Sequence, residues 1–279
     1  MLSYYRPKTI TECFENISEN REYIAGGTDL MVEVKGGHSL KDKILIDLSQ
    51  IEELKGISMI DNKLVIKACA THDDVVLSED VKKALPALSQ ACRTVGSPQI
   101  RNIGTVGGSV GTASPASDPI PPMLLGNCLI NIAGKNGDRQ IKLEDFIKGP
   151  GKTDLNYDEL IHSFELDDLS EYKMAFYKIG RRKALAIARL NFCIAIKKLP
   201  SNKIDDIRIV VGAALPVSSR FYEIEEKLKG QELTDEITND VGAEIAGKIV
   251  EVTGRRKSTE YKLPVIEKVV KRIIKDLEV

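Results

Sequence analysis

Apolar residues come in short runs through the first half of the chain and in long runs through the second. EYIA (22–25) and KILIDL (43–48) are short apolar runs that read as buried strands, and the first stops at Gly26-Gly27. KLVIKACA (63–70) alternates after the turn Asp61-Asn62, as a half-buried strand does. Thr9 with Glu12 three residues on forms a capping box, predicting a helix to about Ser18. Thr71 with Asp74 starts a second helix. Pro86 and Gly96 bracket a third, with Pro at the start and Gly at the stop. CLINIAG (128–134) reads as a strand that turns at GKNGD (134–138) and returns through RQIKLEDF. KGPGKTDL (148–155) reads as a loop, and ELIHSFEL and KMAFYKIG as further strands.

The rhythm then changes. ALAIARLNFCIAIKKL (184–199) and IRIVVGAAL (207–215) predict antiparallel strands around the turn PSNK. Two amphipathic helices follow, over about Asp235–Val252 and Leu263–Leu277. The second carries Leu263, Ile266, Val270, Ile273 and Leu277 on one stripe, with Pro264 tolerated in its first turn. The change of rhythm places a boundary in DDLSEY (167–172), dividing 279 residues into domains 1–168 and 169–279. Strands and helices mixed in this way predict an α+β protein whose C-terminal domain is an antiparallel sheet plus helices.

Composition narrows the function classes. With 42% hydrophobic and 29% charged residues, the chain reads as an ordinary globular protein. A formal net charge of −1 gives no global field to recruit nucleic acid or a membrane surface. No apolar run spans a bilayer, and MLSYYRPKTI lacks a signal-peptide apolar core, so the expected location is the cytoplasm. Cys13, Cys69, Cys92, Cys128 and Cys193 form no close pair, which argues against a disulfide framework, zinc or an iron–sulfur cluster held by this chain alone. His38, His72 and His162 are far apart, and no metal site is expected.

Candidate chemistry sits in two glycine-bearing segments. One is YIAGGTDLMVEV (23–34), a strand broken at Gly26-Gly27. The other is RNIGTVGGSVGTASPASD (101–118), with four glycines, three serines and two threonines in eighteen residues. Glycine reaches positive φ cheaply, and successive backbone N–H groups in such turns can form a nest for anions. Thr28, Thr105 and Ser109 would add hydroxyl donors. Two neutral donor-rich loops suit a diphosphate; the alternative for each is a tight turn. Neither matches G-x-G-x-x-G, and GKT (151–153) lacks a P-loop's first glycine, Phe146 standing there. Asp118 would repel phosphate and suits ribose or base donors, or the N-cap of a helix over PIPPMLLG.

AGGTDL, VGSPQIRNIGTVGGSVGTASPASD, YKIGRRKALAIA and the late GRRKSTEYK resemble the flavin subunit of the molybdenum hydroxylases, the family of bacterial xanthine, nicotinate and carbon monoxide dehydrogenases. The resemblance covers nearly the whole chain. It implies FAD held in a two-part domain of the vanillyl-alcohol-oxidase (PCMH) type. By motif position, Tyr23, Ile24, Ala25, Gly26, Gly27, Thr28, Asp29 and Leu30 would supply the first pyrophosphate segment. Thr105, Val106, Gly107, Gly108 and Ser109 would supply the second, and Asp118 would contact the adenosine side. Val95, ten residues before Thr105, would also bind the cofactor, and Ile161 and Lys178 would neighbour the flavin ring. Some relatives carry an aromatic at the Val95 position, so stacking is not expected here. The bland alternatives are a core position for Ile161 and a solvated one for Lys178.

The resemblance further implies partner chains: one with the molybdenum cofactor, which would hydroxylate the substrate, and one with [2Fe–2S] clusters. Electrons would pass through FAD to NAD+ as the expected acceptor, with no acid or base catalyst in this chain. A purine is the first expectation for the substrate of the complex. Two rival readings are a free-standing FAD oxidoreductase and a non-catalytic nucleotide-binding module. RRK at 181–183 and 255–257 would be solvated faces, or would dock an acidic partner or nicotinamide phosphates.

Overall fold

The computed structural model describes residues 3–15 and 17–278. Three strands, β1 (Ser3–Tyr5), β2 (Arg21–Ile24) and β3 (Ile44–Asp47), pair in parallel in the order β1-β3-β2. Helices α1 (Ile10–Glu15) and α2 (Leu30–Lys35) form the crossovers. Thr9 caps α1 as expected, accepting from Glu12 N–H at 3.1 Å. The helix is shorter than expected: residues 17 and 18 are not helical, and Asn16 lies outside the described residues. Cys13, Ile46, Leu48, Ile51 and Leu54 form a small core that borrows Leu160 from the neighbouring sheet. Strand β1 was not anticipated, because SYY is too short to show a period.

The next sheet holds β4 (Ile57–Ile60), β5 (Lys63–Lys67), β6 (Leu129–Gly134), β7 (Arg139–Lys142) and β10 (Glu159–Asp167). Its order is β4-β5-β10-β6-β7, all antiparallel. Asp61 and Asn62, both at positive φ, close the β4–β5 hairpin as an Asp-Asn turn should. Between β5 and β6 the chain runs through six short helices: α3 (His72–Leu77), α4 (Glu79–Ala84), α5 (Pro86–Arg93), α6 (Pro98–Arg101), α7 (Val106–Thr112) and α8 (Ile120–Leu125). The capping box at Thr71 and Asp74 is formed. After β7 come α9 (Leu143–Phe146) and a small hairpin, β8 (Ile147–Gly149) with β9 (Lys152–Thr153). That hairpin replaces part of the loop expected at 148–155.

The third sheet has the order β11 (Lys173–Ile179), β12 (Leu190–Lys198), β13 (Ile204–Gly212), β14 (Ser219–Arg220), and is antiparallel throughout. Helices α10 (Tyr222–Leu228), α11 (Asp235–Thr253) and α12 (Thr259–Glu278) cover one face. Strand β12 is buried on both sides. Leu190, Phe192, Ile194 and Ile196 join the core under α11 and α12. Cys193 and Ala195 join the central core with residues of α5, α8, β5 and β10. This explains its unbroken apolar run, which two-sided burial requires.

Two expectations in this half are corrected. Residues 184–189 are not strand. Gly180 packs against Ala186, and the Arg182 guanidinium donates to Leu185 O through Nε at 3.1 Å, folding the segment on itself. Helix α12 starts at Thr259, so Pro264 lies in its second turn rather than its first. No helix among the described residues is long and apolar enough to cross a membrane.

Candidate cofactor site

The first glycine segment is a turn between β2 and α2. Gly27 takes φ +68°, the conformation glycine adopts without steric cost. Gly26 is needed for closeness: a Cβ there would lie 1.8 Å from Ile103 O. Among the described residues, no protein acceptor takes the N–H groups of Gly26, Gly27, Thr28, Asp29 or Leu30. Gly26, Gly27, Thr28 and Leu30 are half-buried and Asp29 is exposed; half-buried backbone donors need partners, so this run of open N–H groups marks a place for an anion or water. Ile24 packs beneath, its Cδ1 3.0 Å from where a Gly27 Cβ would stand. Tyr23 belongs to the small N-terminal core, and burial pushes its phenol pKa up.

The second segment differs from its expectation. It is not a loop of positive-φ glycines. Residues 106–112 form α7, and none of Gly104, Gly107, Gly108 or Gly111 takes a positive φ. Its first N–H groups are already engaged: Val106 N–H donates to Ala70 O at 3.0 Å and Gly107 N–H to Ala68 O at 2.8 Å. Gly108 N–H donates to Thr105 Oγ1 at 3.0 Å. Thr105 is therefore the buried N-cap of α7. Glycine here permits close approach and bareness. A Cβ on Gly107 would meet Ala68 O at 2.6 Å, while one on Gly111 would meet nothing within 4 Å. Gly108 and Gly111 stay exposed, and Ser109 between them is half-buried.

The two segments are brought together. Gly26 packs on Ile103, and Thr28 Oγ1 lies 3.2 Å from the Cβ position of Gly104. Thr112 Oγ1 donates to Asp29 Oδ2 at 3.1 Å, tying α7 to the first turn. Val95 lies in the turn after α5, and Arg101 Nη1 donates to Val95 O at 3.3 Å. That turn is thereby tethered to α6, just before Ile103.

Asp118 and Lys178 meet each other. Lys178 Nζ stands 2.5 Å from Asp118 Oδ2, with the Asp118 side chain buried and that of Lys178 largely so. Lys178 also donates to Thr94 O at 3.1 Å, and Thr94 Oγ1 donates to Asp118 Oδ2 at 3.2 Å. Asn191 Nδ2 completes the set, donating to Oδ1 at 3.3 Å. Burial raises the Asp118 pKa, and the Lys178 ammonium opposes the rise. The N-cap of α8 is Pro119, so Asp118 does not cap it, and Lys178 is not a solvated strand residue. A cavity of about 640 Å³ opens beside this pair, lined in part by Gln90, Arg93, Thr94, Tyr177 and Lys178. Ile161 stands apart: it is buried in the central core on β10, paired with Ile132.

One residue of the site was not singled out in the sequence. His72, the first residue of α3, places Nε2 3.0 Å from Ser109 Oγ. The Thr71–Asp74 box was the signal, because it fixes His72 at the helix start. All five cysteines are buried and unpaired.

Residues 1–166 match the family described as FAD binding domain in molybdopterin dehydrogenase. Residues 175–277 match the CO dehydrogenase flavoprotein C-terminal domain. The glyceraldehyde dehydrogenase medium chain of Sulfolobus acidocaldarius is 30% identical over 277 residues, covering 99% of this chain and 98% of its own. The xanthine dehydrogenase FAD-binding subunit of Escherichia coli O157:H7 is 25% identical, covering 98% and 95%. The solved carbon monoxide dehydrogenase of Hydrogenophaga pseudoflava shares the fold, with TM-score 0.89 at 23% identity over 98% of this chain and 96% of that one. An FAD-binding domain followed by this C-terminal sheet domain defines a flavoprotein chain of oxidoreductases. Within that class, the chain belongs to the family of FAD-binding subunits of the molybdenum hydroxylases.

Proposed function

We propose that this chain is the electron relay of a multi-subunit molybdenum hydroxylase. A partner chain with the molybdenum cofactor would oxidise the substrate, and a partner with [2Fe–2S] clusters would deliver electrons here. NAD+ is the proposed acceptor, and the cytoplasm, where it is plentiful, the proposed location. Bound FAD supplies the redox chemistry, accepting single electrons and releasing a pair.

The residues present fit that group. The observation that carries the reading is the run of open N–H groups from Gly26 to Leu30, joined to the bare, exposed face of Gly108 and Gly111. The N–H groups hold a diphosphate without adding positive charge, and the missing side chains leave room for it. Ser109 adds a hydroxyl at the same face. Thr94 and Lys178, the latter held by Asp118, line the cavity of about 640 Å³, where ribose or ring edges would be positioned. Domains 1–168 and 169–279 divide these tasks: the first carries both glycine segments, and the second brings Lys178 and Asn191 to Asp118.

The substrate belongs to the partner. Relatives named for glyceraldehyde, xanthine, nicotinate and carbon monoxide align along nearly the whole of this chain. One relay can thus serve many substrates, and a purine remains one case among them. The reading is tested by titrating the cofactor-free chain with FAD and with FMN. Two joined segments built for a diphosphate predict binding of FAD and little of FMN, which has a single phosphate. Equal affinity for FMN would remove the diphosphate from the account.

A further inference from the structure

His72 is held against the second glycine segment by both its backbone and its ring. Its N–H donates to Gly104 O at 3.0 Å, and the adjacent Thr71 bridges to Thr105. Its Nε2 stands 3.0 Å from Ser109 Oγ. The ring is almost wholly enclosed, 2% exposed, and its Nδ1 has no hydrogen-bond partner among the described residues.

Two neutral tautomers are open to such a ring, and they differ in what they ask of Ser109. With the proton on Nδ1, a buried N–H is left without an acceptor, and the serine must spend its only proton on Nε2. Its lone pairs would then face the bare side of α7, where an anion would be repelled. With the proton on Nε2, the ring donates to Ser109 Oγ, and the only unsatisfied atom is a lone pair. Orphaned buried donors are rarer than under-used acceptors, so the second arrangement is favoured even before a ligand arrives. A serine inside a helix commonly turns its hydroxyl back onto the carbonyl one turn earlier. Among the described residues, the Ser109 hydroxyl has no such bond; its partner is the ring. Burial and the neighbouring Arg101 guanidinium lower the His72 pKa to about 4, so the ring is neutral near pH 7.

We propose that His72 is a positioning residue: as the Nε2–H tautomer it donates to Ser109 Oγ and so commits the Ser109 proton to an anion at the bare face of α7. This deepens the FAD reading and rests on it for the identity of the anion. It also predicts a division of labour between the segments. The first offers backbone donors, and the second offers one hydroxyl whose direction a buried imidazole sets.

The test has two parts. In the full chain without mutation, ¹⁵N-edited spectra of the three histidines report the tautomer directly, with the His72 signal identified by its loss in His72→Gln. Pyrrole-type Nε2 with pyridine-type Nδ1 is expected; the reverse pattern overturns the proposal whatever the chain binds. The second part is FAD affinity, read by flavin fluorescence. A hydrogen bond to a charged group is worth roughly tenfold to a hundredfold in binding, so Ser109→Ala and His72→Leu should each weaken FAD by about that factor. The double variant should be no worse than either single, and His72→Gln, whose amide N–H can reach the Nε2 position, should restore most of the affinity. Additive losses, or Gln failing where the fold is intact by circular dichroism, would show that His72 acts only as packing. Should the unmutated chain bind no FAD at all, the cofactor reading falls, while the tautomer measurement still decides the hydrogen-bond direction.

Discussion

Glycines that look alike in the sequence have unlike duties in the structure. A Cβ on Gly26 would strike Ile103 O at 1.8 Å, and a backbone carbonyl cannot swing aside. Gly26→Ala should therefore destabilise the fold by about 1–3 kcal/mol or more, as overpacking does, read as a lowered midpoint in denaturant. Gly108 is exposed, and its Cβ would meet only Thr105 Oγ1, at 3.0 Å. Gly108→Val should keep the fold and lose flavin, measured as the FAD-to-protein ratio after gel filtration. A variant that retains stoichiometric FAD would show that α7 does not approach the cofactor. His72 adds a pH dependence. Its folded pKa, about 4, lies below the ordinary value near 6.5 because burial disfavours the charged ring, helped by Arg101. Between those values the unfolded chain takes up a proton that the folded chain refuses. Stability should thus fall as pH drops from about 6.5 to about 4, and His72→Gln should flatten the curve in that window.

At the scale of elements, the tie between Asp118 and Lys178 fastens the entry of α8 to β11. Removing one partner strands the other charge in the interior. Lys178→Met should cost about 3–5 kcal/mol in equilibrium unfolding, and Lys178→Met with Asp118→Asn should recover much of that. A double-variant loss equal to the sum of the two single-variant losses would mean that the pair is not coupled. Elements built on local chemistry were legible in the sequence. The Thr9 cap, the capping box at Thr71, the Asp61-Asn62 turn and the apolar run of β12 from Leu190 on appear where their residues place them, although the Glu12 carboxylate accepts from Lys8 N–H rather than closing a box on Thr9. Helix α7 was hidden, because glycine is a poor helix former and its three glycines read as loop. What makes it helical is the Thr105 cap and the burial of Val106 and Val110, a tertiary effect. The start of β12 was misplaced for a similar reason: ALAIAR is apolar, yet the Arg182 contact to Leu185 O turns it away from the sheet. The free N–H groups expected of the second glycine segment are not free at residues 106–108, where Ala70, Ala68 and Thr105 accept from them.

Across the whole molecule, the two halves share one core. Met174, Phe176, Cys193, Ala195 and Val210 of the C-terminal sheet pack with Leu88, Cys92 and Met123 of the first half. This shared core holds Lys178, which lines the cavity, against Asp118. The direct measurement is anaerobic flavin absorbance of the FAD-loaded chain, alone and after addition of the proposed molybdenum and iron–sulfur partners. With the chain alone, a purine, nicotinate or an aldehyde should leave the flavin band unchanged; with the partners present, the substrate of the complex should bleach it. Rapid bleaching by one of those substrates with this chain alone would contradict the account and make it a self-contained flavoenzyme.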